Sequence, residues 1–554
     1  MENGFLNLVK EGLVSNWDRP ALTDLGGETY LFKDYARKMA ELHLIFAALD
    51  IKKGDKIALC GRNSSHWAIA FFASLTYGCV ATSILHDFNA ESVHNIVNHS
   101  ESKILFVGEA VWKKLTAEKM PQLNSIVLLE DFSVVQTNIT GFSKEENTIS
   151  ELFIKRYPNG FSQADVFIHE EDPEALAVLN YTSGTTSKPK GVMIPYRSLW
   201  SNTRYAIDNI SFVKTGDGMV SMLPMAHMYG LAFEVLLSLT KGCHLHFLTK
   251  VPSPQVIMGA FAEVKPSLVI AVPLIIEKII RNKVFPELDK QPAKTLLKIP
   301  GLRNIVHNKV LAQLRNAFGG NLAEVVIGGA ALNKEVGDFL TKIKFPYTVG
   351  YGMTECGPLI AYDYWATYKP MSCGKVVDRM EAKIASPDQE SIAGEIMVRG
   401  MNVMIGYYNE LEATKQVLDS EGWLNTGDLG IIDKDGYIFI KGRSKTMILG
   451  SSGQNIYPEE IEDFVNNLPL VSESLIIEDS NNKLVALIFT DSDYLTANKI
   501  DNEKLPALLE NYIAQINKQL PNYSQIGRFE IRDTEFEKTP KRSIKRFLYQ
   551  TNNK

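Results

Sequence analysis

A run of hydroxylic residues is the sharpest chemical feature of the sequence. Five of the six residues from Thr182 to Ser187 carry hydroxyl groups, and the sixth is Gly184. Hydroxyls donate hydrogen bonds, and a glycine lets backbone N–H groups turn towards an anion. Lys188 and Lys190 follow at once and add charged donors for phosphate oxygens. The pattern predicts a phosphate-binding loop, although a flexible Ser/Thr/Gly linker has the same composition.

The flanks of this run favour the loop over the linker. Ala175–Asn180 and Val192–Ile194 are apolar and are typical of core strands, whereas a linker normally has polar neighbours. The run does not match the GxxxxGK[ST] pattern of P-loop ATPases, because Lys190 stands before the second glycine, Gly191. An ATPase of that class is therefore disfavoured.

The histidines do not indicate a metal centre. No HExxH pair occurs, and His244 and His246 alternate along an expected strand without a nearby cysteine or acidic cluster. For His227 we expect a packing role or a place in a pocket wall. Asp428 begins a kinase-like Asp-x-Gly triplet, but no HRDxxxxN-type loop precedes it, which argues against a kinase.

The elements that must position these residues alternate between short apolar strands and amphipathic helices through the first 350 residues. This rhythm predicts βαβ units with mostly parallel sheets. After Gly374, short strands with Gly/Asp turns predict a small antiparallel, barrel-like part. We therefore expect an α/β fold with a large domain of stacked subdomains over residues 1–441, and a small, mobile α+β domain over residues 442–554.

Composition and charge argue against several classes of protein. The chain has 554 residues and a net charge of −6, so no overall basic field indicates nucleic acid as a partner. Five widely spaced cysteines without a CxxC pair are typical of a reducing, cytoplasmic protein. Residues 63–86 contain no charged Asp, Glu, Lys or Arg, but their hydroxyls and Gly78 predict a buried helix and a strand rather than a membrane span.

Eight short motifs, in order, resemble those of the adenylate-forming superfamily, which contains acyl-CoA synthetases, luciferases and peptide-synthetase adenylation domains. Individually each is weak, whereas the ordered set covers nearly the whole chain. The matching segments are Tyr181–Gly191, Ser221–Gly230, Ala271–Ile279, Gly328–Leu332, Tyr351–Glu355, Trp423–Asp428, Gly442–Ile448 and Gly453–Glu462. The segment Ala271–Ile279 is most similar to fatty acyl-CoA ligases.

The resemblance implies a site for ATP, Mg²⁺ and an organic acid. The phosphates would contact Thr182, Ser183, Gly184, Thr185, Thr186 and Lys190. The rest of the nucleotide would meet Gly329, Tyr351 along adenine, Thr354 at the α-phosphate, and Asp428 with Arg443 at the ribose. Glu355 and Thr186 would bind Mg²⁺ and act in catalysis, and the acyl pocket would include His227, Gly328 and Ala330.

The C-terminal tail departs from the family pattern. Ser543 stands where fatty acyl-CoA ligases usually have the lysine that enters the site during adenylation. Lys541 and then Lys545 are the expected substitutes, because alternate residues of an extended segment share one face. A solvated basic tail is the alternative. By resemblance, Lys445 marks a hinge between two orientations of the small domain.

The resemblance implies an ATP-dependent fatty acid:CoA ligase that forms acyl-AMP and pyrophosphate, then acyl-CoA and AMP, with CoA as co-substrate. Three alternatives remain open: an aryl or other acid as substrate, a carrier-protein thiol in place of CoA, and a nucleotide-binding homologue with impaired catalysis. Peripheral membrane contact and a homodimer are also left open by the sequence, and no nucleic-acid partner is expected.

Overall fold

An eight-stranded sheet forms the centre of the large domain. The computed structural model describes residues 4–139, 147–182, 189–250, 253–449, 454–480, 482–498, 500–501, 503–539 and 544–549. In spatial order, the strands are Gly406–Tyr407, Lys190–Pro195, Leu176–Thr182, Val80–Ile84, Lys56–Cys60, Ile104–Val107, Ser125–Leu128 and Val134–Thr137. The five strands from Leu176–Thr182 to Ser125–Leu128 are mutually parallel, as the alternating pattern predicts.

The uncharged stretch 63–86 lies inside this sheet layer. Helix Ser65–Tyr77 begins after Ser64, whose hydroxyl caps the Trp67 N–H, and ends at Gly78 in the left-handed region. Strand Val80–Ile84 follows and is buried throughout. The predicted buried helix and core strand are thus confirmed. Across the described ranges, the chain has no helix with the length and apolar character needed to traverse a bilayer.

Two smaller sheets complete the α/β part. One contains Gly218–Ser221, His244–Phe247, Pro20–Asp24 and Thr29–Leu31, in that order. The other is fully parallel and contains Leu268–Ala271, Glu324–Ile327 and Tyr347–Val349. Because parallel strands end at one edge, the carboxyl ends of this second sheet bring together the residues that follow each strand. These are Val272, Gly328 and Gly350, which stand at or beside three of the predicted motifs.

The barrel-like part consists of two antiparallel sheets. The first contains Tyr351–Gly352, Leu359–Tyr362 and Lys375–Val376, and the second contains Met380–Ala385, Gly394–Gly400, Leu424–Ile432 and Ile438–Arg443. An antiparallel bridge between Lys375 and Tyr437 joins the two sheets. Gly442 and Arg443 complete the last strand, in which Arg443 pairs with Asp428.

Helices connect the strands of the large domain. The α-helices are Phe5–Ser15, Phe32–Ala48, Ser65–Tyr77, Ala90–His99, Glu109–Trp112, Asn147–Arg156, Tyr196–Asn209, Met228–Gly230, Leu237–Lys241, Pro254–Val264, Pro273–Ile279, Phe285–Asp289, Ala293–Leu296, Leu302–Ala317, Lys334–Lys342 and Leu411–Lys415. Wider π-helical turns occupy Leu231–Leu236 and Ile280–Val284. Such turns are rare and often lie near functional sites, which draws attention to the first of them.

The C-terminal unit has its own core. Its main sheet contains Val471–Glu478, Leu484–Thr490 and Ile526–Arg532, its small hairpin contains Ile448–Leu449 and Asn455–Ile456, and its helices are Pro458–Asn466, Ser492–Ala497 and Leu505–Asn517. The buried residues of the large domain extend to Ile438, and a separate buried cluster begins at Ile456. Two cores separated by a short connection are what the predicted two-domain α/β plus α+β architecture requires.

Polar contacts join the small unit to the edge of the parallel three-stranded sheet. The Asn333 side-chain amide donates to Asp463 Oδ1 at 2.6 Å, and its backbone N–H donates to Glu277 Oε1 at 2.9 Å. Arg281 donates to the carbonyl of Asn466 at 2.8 Å. The end of helix Pro458–Asn466 is therefore held against the segment that follows Gly328.

Candidate active site

A buried carboxylate links two of the predicted motifs. The Tyr351 hydroxyl donates to Asp428 Oδ2 at 2.7 Å, and Arg443 Nε lies 3.1 Å from Asp428 Oδ1. Burial raises the pKa of Asp428, while the Arg443 charge and the Tyr351 hydrogen bond oppose that rise. The structure thus brings together Tyr351, Asp428 and Arg443, as the motifs predict.

A second line of contacts runs from Lys190 to Glu355. The Tyr407 hydroxyl donates to Glu355 Oε1 at 2.9 Å, and Lys190 Nζ lies 4.7 Å from the centre of the Tyr407 ring. Tyr407 belongs to the edge strand that pairs with Lys190–Pro195, which explains how one ring contacts both residues. Burial, followed by the Glu355 charge, raises the pKa of Tyr407. Sequence reasoning missed Tyr407, because no motif contains it.

The predicted phosphate-binding loop connects two paired strands. Thr182 pairs with Lys190 in the antiparallel hairpin that both strands form, so the ends of the loop are fixed beside each other. Ser183, Gly184, Thr185 and Thr186 lie outside the described residues, and their predicted phosphate contacts stay predictions. Thr354 is buried in the turn that also carries Glu355.

Tyr229 contacts two of the predicted acyl-pocket residues, His227 and Gly328. His227 caps a short helix, with its Nδ1 accepting from the Tyr229 N–H at 3.3 Å. The Tyr229 hydroxyl donates to the Val326 carbonyl at 3.0 Å, and a Cβ added at Gly328 would lie 3.0 Å from the Tyr229 ring. Only glycine fits here without displacing the ring. Gly329 and Ala330 follow on the exposed side of the turn.

Two buried polar side chains, Glu234 and Asn180, and the partly buried Asn63 hold the segment that leads to His227. Glu234, from the π-helical turn, accepts hydrogen bonds from the Ser221 hydroxyl at 3.0 Å and from the N–H groups of Met222 and Leu223 at 3.2–3.3 Å. Asn63 donates to the Leu223 carbonyl at 2.6 Å. The remaining contacts are Met225 N–H to Asn63 Oδ1 at 3.0 Å and Asn180 Nδ2 to the Ala226 carbonyl at 2.8 Å.

Sequence reasoning missed this cluster, although one signal was present. Glu234 is the only acidic residue between 218 and 262, and it stands in an apolar run. An acid in such a position is costly to bury and needs hydrogen-bond donors. Here desolvation raises the pKa of Glu234 to about 8, and the hydrogen bonds from Leu223, Met222 and Ser221 oppose that rise.

In the C-terminal tail, Lys545 pairs with a carboxylate of the same segment. Lys545 Nζ lies 3.3 Å from Glu537 Oε2, and an antiparallel bridge joins Lys538 to Ile544. Lys541 and Ser543 themselves lie outside the described residues.

The predicted hinge residue is exposed and follows the last strand of the large domain. Ser444 N–H donates to the Gly427 carbonyl at 2.9 Å, and Thr446 Oγ1 donates to Glu459 Oε1 at 2.7 Å. Lys445 stands between these two anchored residues with its side chain in solvent. Glu459 also acts on Asp428 by raising its pKa electrostatically, so the hinge lies close to the predicted ribose site.

Comparison with known proteins identifies the family. The model of the AMP-binding enzyme family matches residues 11–408, and the model of its C-terminal domain matches residues 445–552. The chain belongs to the AMP-binding enzyme family. Long-chain-fatty-acid–CoA ligase heimdall of Drosophila melanogaster is 26% identical over 85% of this chain and 73% of that protein. Long-chain-fatty-acid–CoA ligase FadD15 of Mycobacterium bovis is 27% identical over 92% and 88%.

Solved structures of AMP-binding enzymes show the same fold. The anthranilate CoA ligase AuaEII in complex with anthranoyl-AMP superposes with a TM-score of 0.78, at 19% identity over 99% of this chain and 96% of that one. The Mycobacterium tuberculosis fatty acyl CoA synthetase gives a TM-score of 0.66, at 19% identity over 98% and 97%. The predicted fold class, a large domain with a smaller C-terminal one, is confirmed.

Replacing Glu234 tests its role in the pocket of this AMP-binding enzyme. We expect Glu234→Ala to raise KM for the acid at least about tenfold while KM for ATP changes less than about twofold, because three buried donors lose their acceptor beside His227. Glu234→Gln, neutral and nearly isosteric, should restore most of the acid affinity. Steady-state pyrophosphate release with either substrate varied gives both constants.

Glu324 provides the matched control. It is equally buried, its pKa is raised to about 7 by burial, and it accepts from the Tyr362 hydroxyl and the Trp365 N–H. It stands at the opposite end of its strand from Gly328, so Glu324→Ala should lower the melting temperature without a selective change in acid KM. A matching acid-selective change in both alanine variants would contradict the assignment.

Proposed function

We propose that this chain is an ATP-dependent fatty acid:CoA ligase. The proposal rests on two groups of contacts in a chain of the AMP-binding enzyme family. In the first, Asp428 contacts Tyr351 and Arg443. In the second, Tyr407 contacts Lys190 and Glu355. Two relatives with the names of long-chain-fatty-acid–CoA ligases support fatty acid as the substrate class. The aryl-acid, carrier-thiol and impaired-homologue alternatives have no comparable support.

The reaction has two balanced steps. A carboxylate oxygen of the acid attacks the α-phosphorus of ATP, the bond to the bridging oxygen breaks, and pyrophosphate leaves. The thiol of CoA then attacks the acyl carbon of acyl-AMP, AMP leaves with the shared oxygen, and the thiol proton is released. Asp428 would accept hydrogen bonds from the ribose hydroxyls, and Tyr351 would lie along adenine, which fixes the α-phosphate relative to the acid.

Magnesium fits the donor set of this site. Glu355 is half-buried, and the Tyr407 hydroxyl donates to one of its two carboxylate oxygens, Oε1. Mg²⁺ prefers carboxylate oxygens as ligands. Within the described ranges no group of three or more His, Cys, Asp or Glu could hold a metal by itself. We therefore expect Glu355 to share the ion with phosphate oxygens, and Mg²⁺ to neutralise their charge when bound. The Thr186 contribution stays a prediction.

The compartment and assembly are further proposals. All five cysteines are buried and free, which supports a reducing, cytoplasmic environment. ATP, an acid and CoA are the proposed partners, which fits the AMP-binding enzyme family. Whether the enzyme forms a homodimer is left to measurement of its mass in solution.

Product analysis tests the proposed function directly. With ATP, Mg²⁺ and a panel of carboxylic acids, we expect AMP and pyrophosphate, with the highest kcat/KM for a fatty acid and acyl-CoA formed only when CoA is present. ADP and phosphate would contradict the ligase chemistry. An aryl acid turned over faster than every fatty acid would contradict the substrate class.

Alanine replacement tests the C-terminal lysines. If Lys541 substitutes for the lysine usually found at the Ser543 position, Lys541→Ala should slow pyrophosphate release by at least about tenfold, because a cation leaves the developing charge on the α-phosphate. Lys545→Ala, which removes only a partner of Glu537, should have a smaller effect. Unchanged rates in both variants would exclude both residues, and Ser543→Lys would then show whether a lysine there increases the rate.

Rotation at Lys445 is testable by separating the two half-reactions. We propose that the boundary between the domains follows Arg443, two residues beyond the predicted position, with Lys445 as the pivot. Lys445→Pro fixes one backbone dihedral and restricts Ser444, so it should slow thioester formation at least about tenfold more than adenylation. Lys445→Ala is the control. Single-turnover measurements of both steps decide the matter, and equal losses would place the pivot elsewhere.

A further inference from the structure

A positively charged insertion connects two neighbouring strands of the parallel three-stranded sheet. The chain leaves this sheet after Ala271 and returns at Glu324, and four α-helices lie between these two residues. From 290 to 323 the sequence has no Asp or Glu, although the whole chain is acidic with a net charge of −6. The basic residues of this stretch are Lys290, Lys294, Lys298, Arg303, Lys309 and Arg315. No acidic residue separates these six cations along the chain.

Aliphatic side chains are exposed among these cations. Ile299, Leu302 and Ile305 are 42%, 36% and 63% exposed. Leu302 and Ile305 lie three residues apart on helix Leu302–Ala317 and are neighbours on its surface, and Ile299 precedes this helix by three residues. Helix Leu302–Ala317 buries its other face, which carries Val310 and Leu314. The aliphatic residues therefore point outward, where exposure of large apolar side chains costs free energy unless something covers them.

The cations close in sequence to these aliphatic residues differ from the earlier ones in their ion pairing within the described ranges. Lys290 and Lys294 pair with Glu287 and Asp289, at 2.5 and 3.5 Å. For Lys298, Arg303 and Lys309, no ion pair is found in the part of the chain that the structure describes. Arg303 also helps to lower the pKa of the buried His307, after the larger effect of burial, which is consistent with a locally positive potential.

We propose that Lys298, Ile299, Leu302, Arg303, Ile305 and Lys309, here called the basic ridge, dock the enzyme on an anionic lipid surface. Aliphatic residues would enter the boundary of headgroups and acyl chains, and the cations would contact lipid phosphates. The inference rests on the proposed function, since a long-chain acid dissolves in bilayers and would be drawn from there.

The position of the basic ridge is suitable for taking a long-chain acid from a bilayer. The insertion begins after Ala271, whose carbonyl accepts from the Gly328 N–H at 3.0 Å. The next residue, Val272, lies 4.0 Å from the position that a Cβ added at Gly329 would occupy. The insertion thus leaves the sheet at the edge of the predicted acyl pocket. An acidic carrier protein would satisfy the cations as well. Leu302 and Ile305 lie on the exposed face of helix Leu302–Ala317, which favours a fluid lipid surface over a fitted protein.

Vesicle sedimentation of the full-length protein tests the ridge. Vesicles of phosphatidylcholine alone are compared with vesicles of equal parts phosphatidylcholine and phosphatidylglycerol. We expect binding to the anionic vesicles only, and its loss near 1 M salt, where the Debye length falls to about 3 Å. The triple variant Lys298→Glu, Arg303→Glu, Lys309→Glu should weaken partitioning at least about a hundredfold, and Ile305→Asp about tenfold.

Matched controls are available in the chain. Leu411 is 66% exposed but stands between Glu410 and Glu412, so Leu411→Asp should leave vesicle binding unchanged. Lys114, Lys434 and Lys518 are exposed and far from the ridge in sequence, and their reversal to Glu should have a much smaller effect than reversal of the ridge. Equal losses in the control and ridge triple variants would show a nonspecific charge effect and overturn the proposal.

AMP release separates failure of docking from failure of the proposed function. With a short, water-soluble acid, the ridge variants should match the parent, which also reports that they are folded. With a long-chain acid supplied in anionic vesicles, they should be at least about tenfold slower. Ridge variants that sediment like the parent overturn the docking surface even if every acid is activated. Reduced transfer to an acidic carrier protein, with vesicle binding unchanged, would assign the ridge to that partner instead.

Discussion

The Asp428 carboxylate is buried between a phenol and a guanidinium, and most of the proposed chemistry depends on keeping it there. Burial alone disfavours its charge, whereas Arg443 and the Tyr351 hydroxyl favour it. The three residues come from different motifs and meet because strands Leu424–Ile432 and Ile438–Arg443 are paired, with Asp428 opposite Arg443. The same strand ends at the proposed hinge, so the ribose site and the pivot share one element.

The proposed acyl side of the site is held by hydrogen bonds rather than by an ion pair. Asn63, Asn180 and Glu234 come from three separate elements, and all of them direct hydrogen bonds at the backbone or hydroxyl groups of Ser221–Ala226. A loop held by buried polar groups loses much when one partner is removed, because the remaining donors cannot reach water. The proposed nucleotide side thus relies on an ion pair, and the proposed acyl side relies on hydrogen bonds from side chains to the backbone and to a hydroxyl.

Much of the fold could be predicted from local pattern. Strands Lys56–Cys60 and Val80–Ile84 and helix Pro254–Val264 follow from local pattern, because continuous apolar runs and a Ser-Pro helix start are strong local signals. Tyr351, Asp428 and Arg443 could be grouped only through the family resemblance. Tyr407 and Asn63 could not be found, since neither lies in a motif and Asn63 contacts a carbonyl 160 residues away. Such partners are defined by tertiary packing alone.

The amide of Asn333 has a consequence for how the two substrates communicate. It links Asp463 of the small unit to a turn that begins at Gly328, while its own N–H is held by Glu277. Any ligand that shifts this turn must change the free energy of the orientation in which Asp463 reaches it. By thermodynamic reciprocity, the orientation of the small unit changes the affinity for that ligand by the same factor. Ligand binding at the turn that begins at Gly328 would thereby favour one orientation of the small unit over the other.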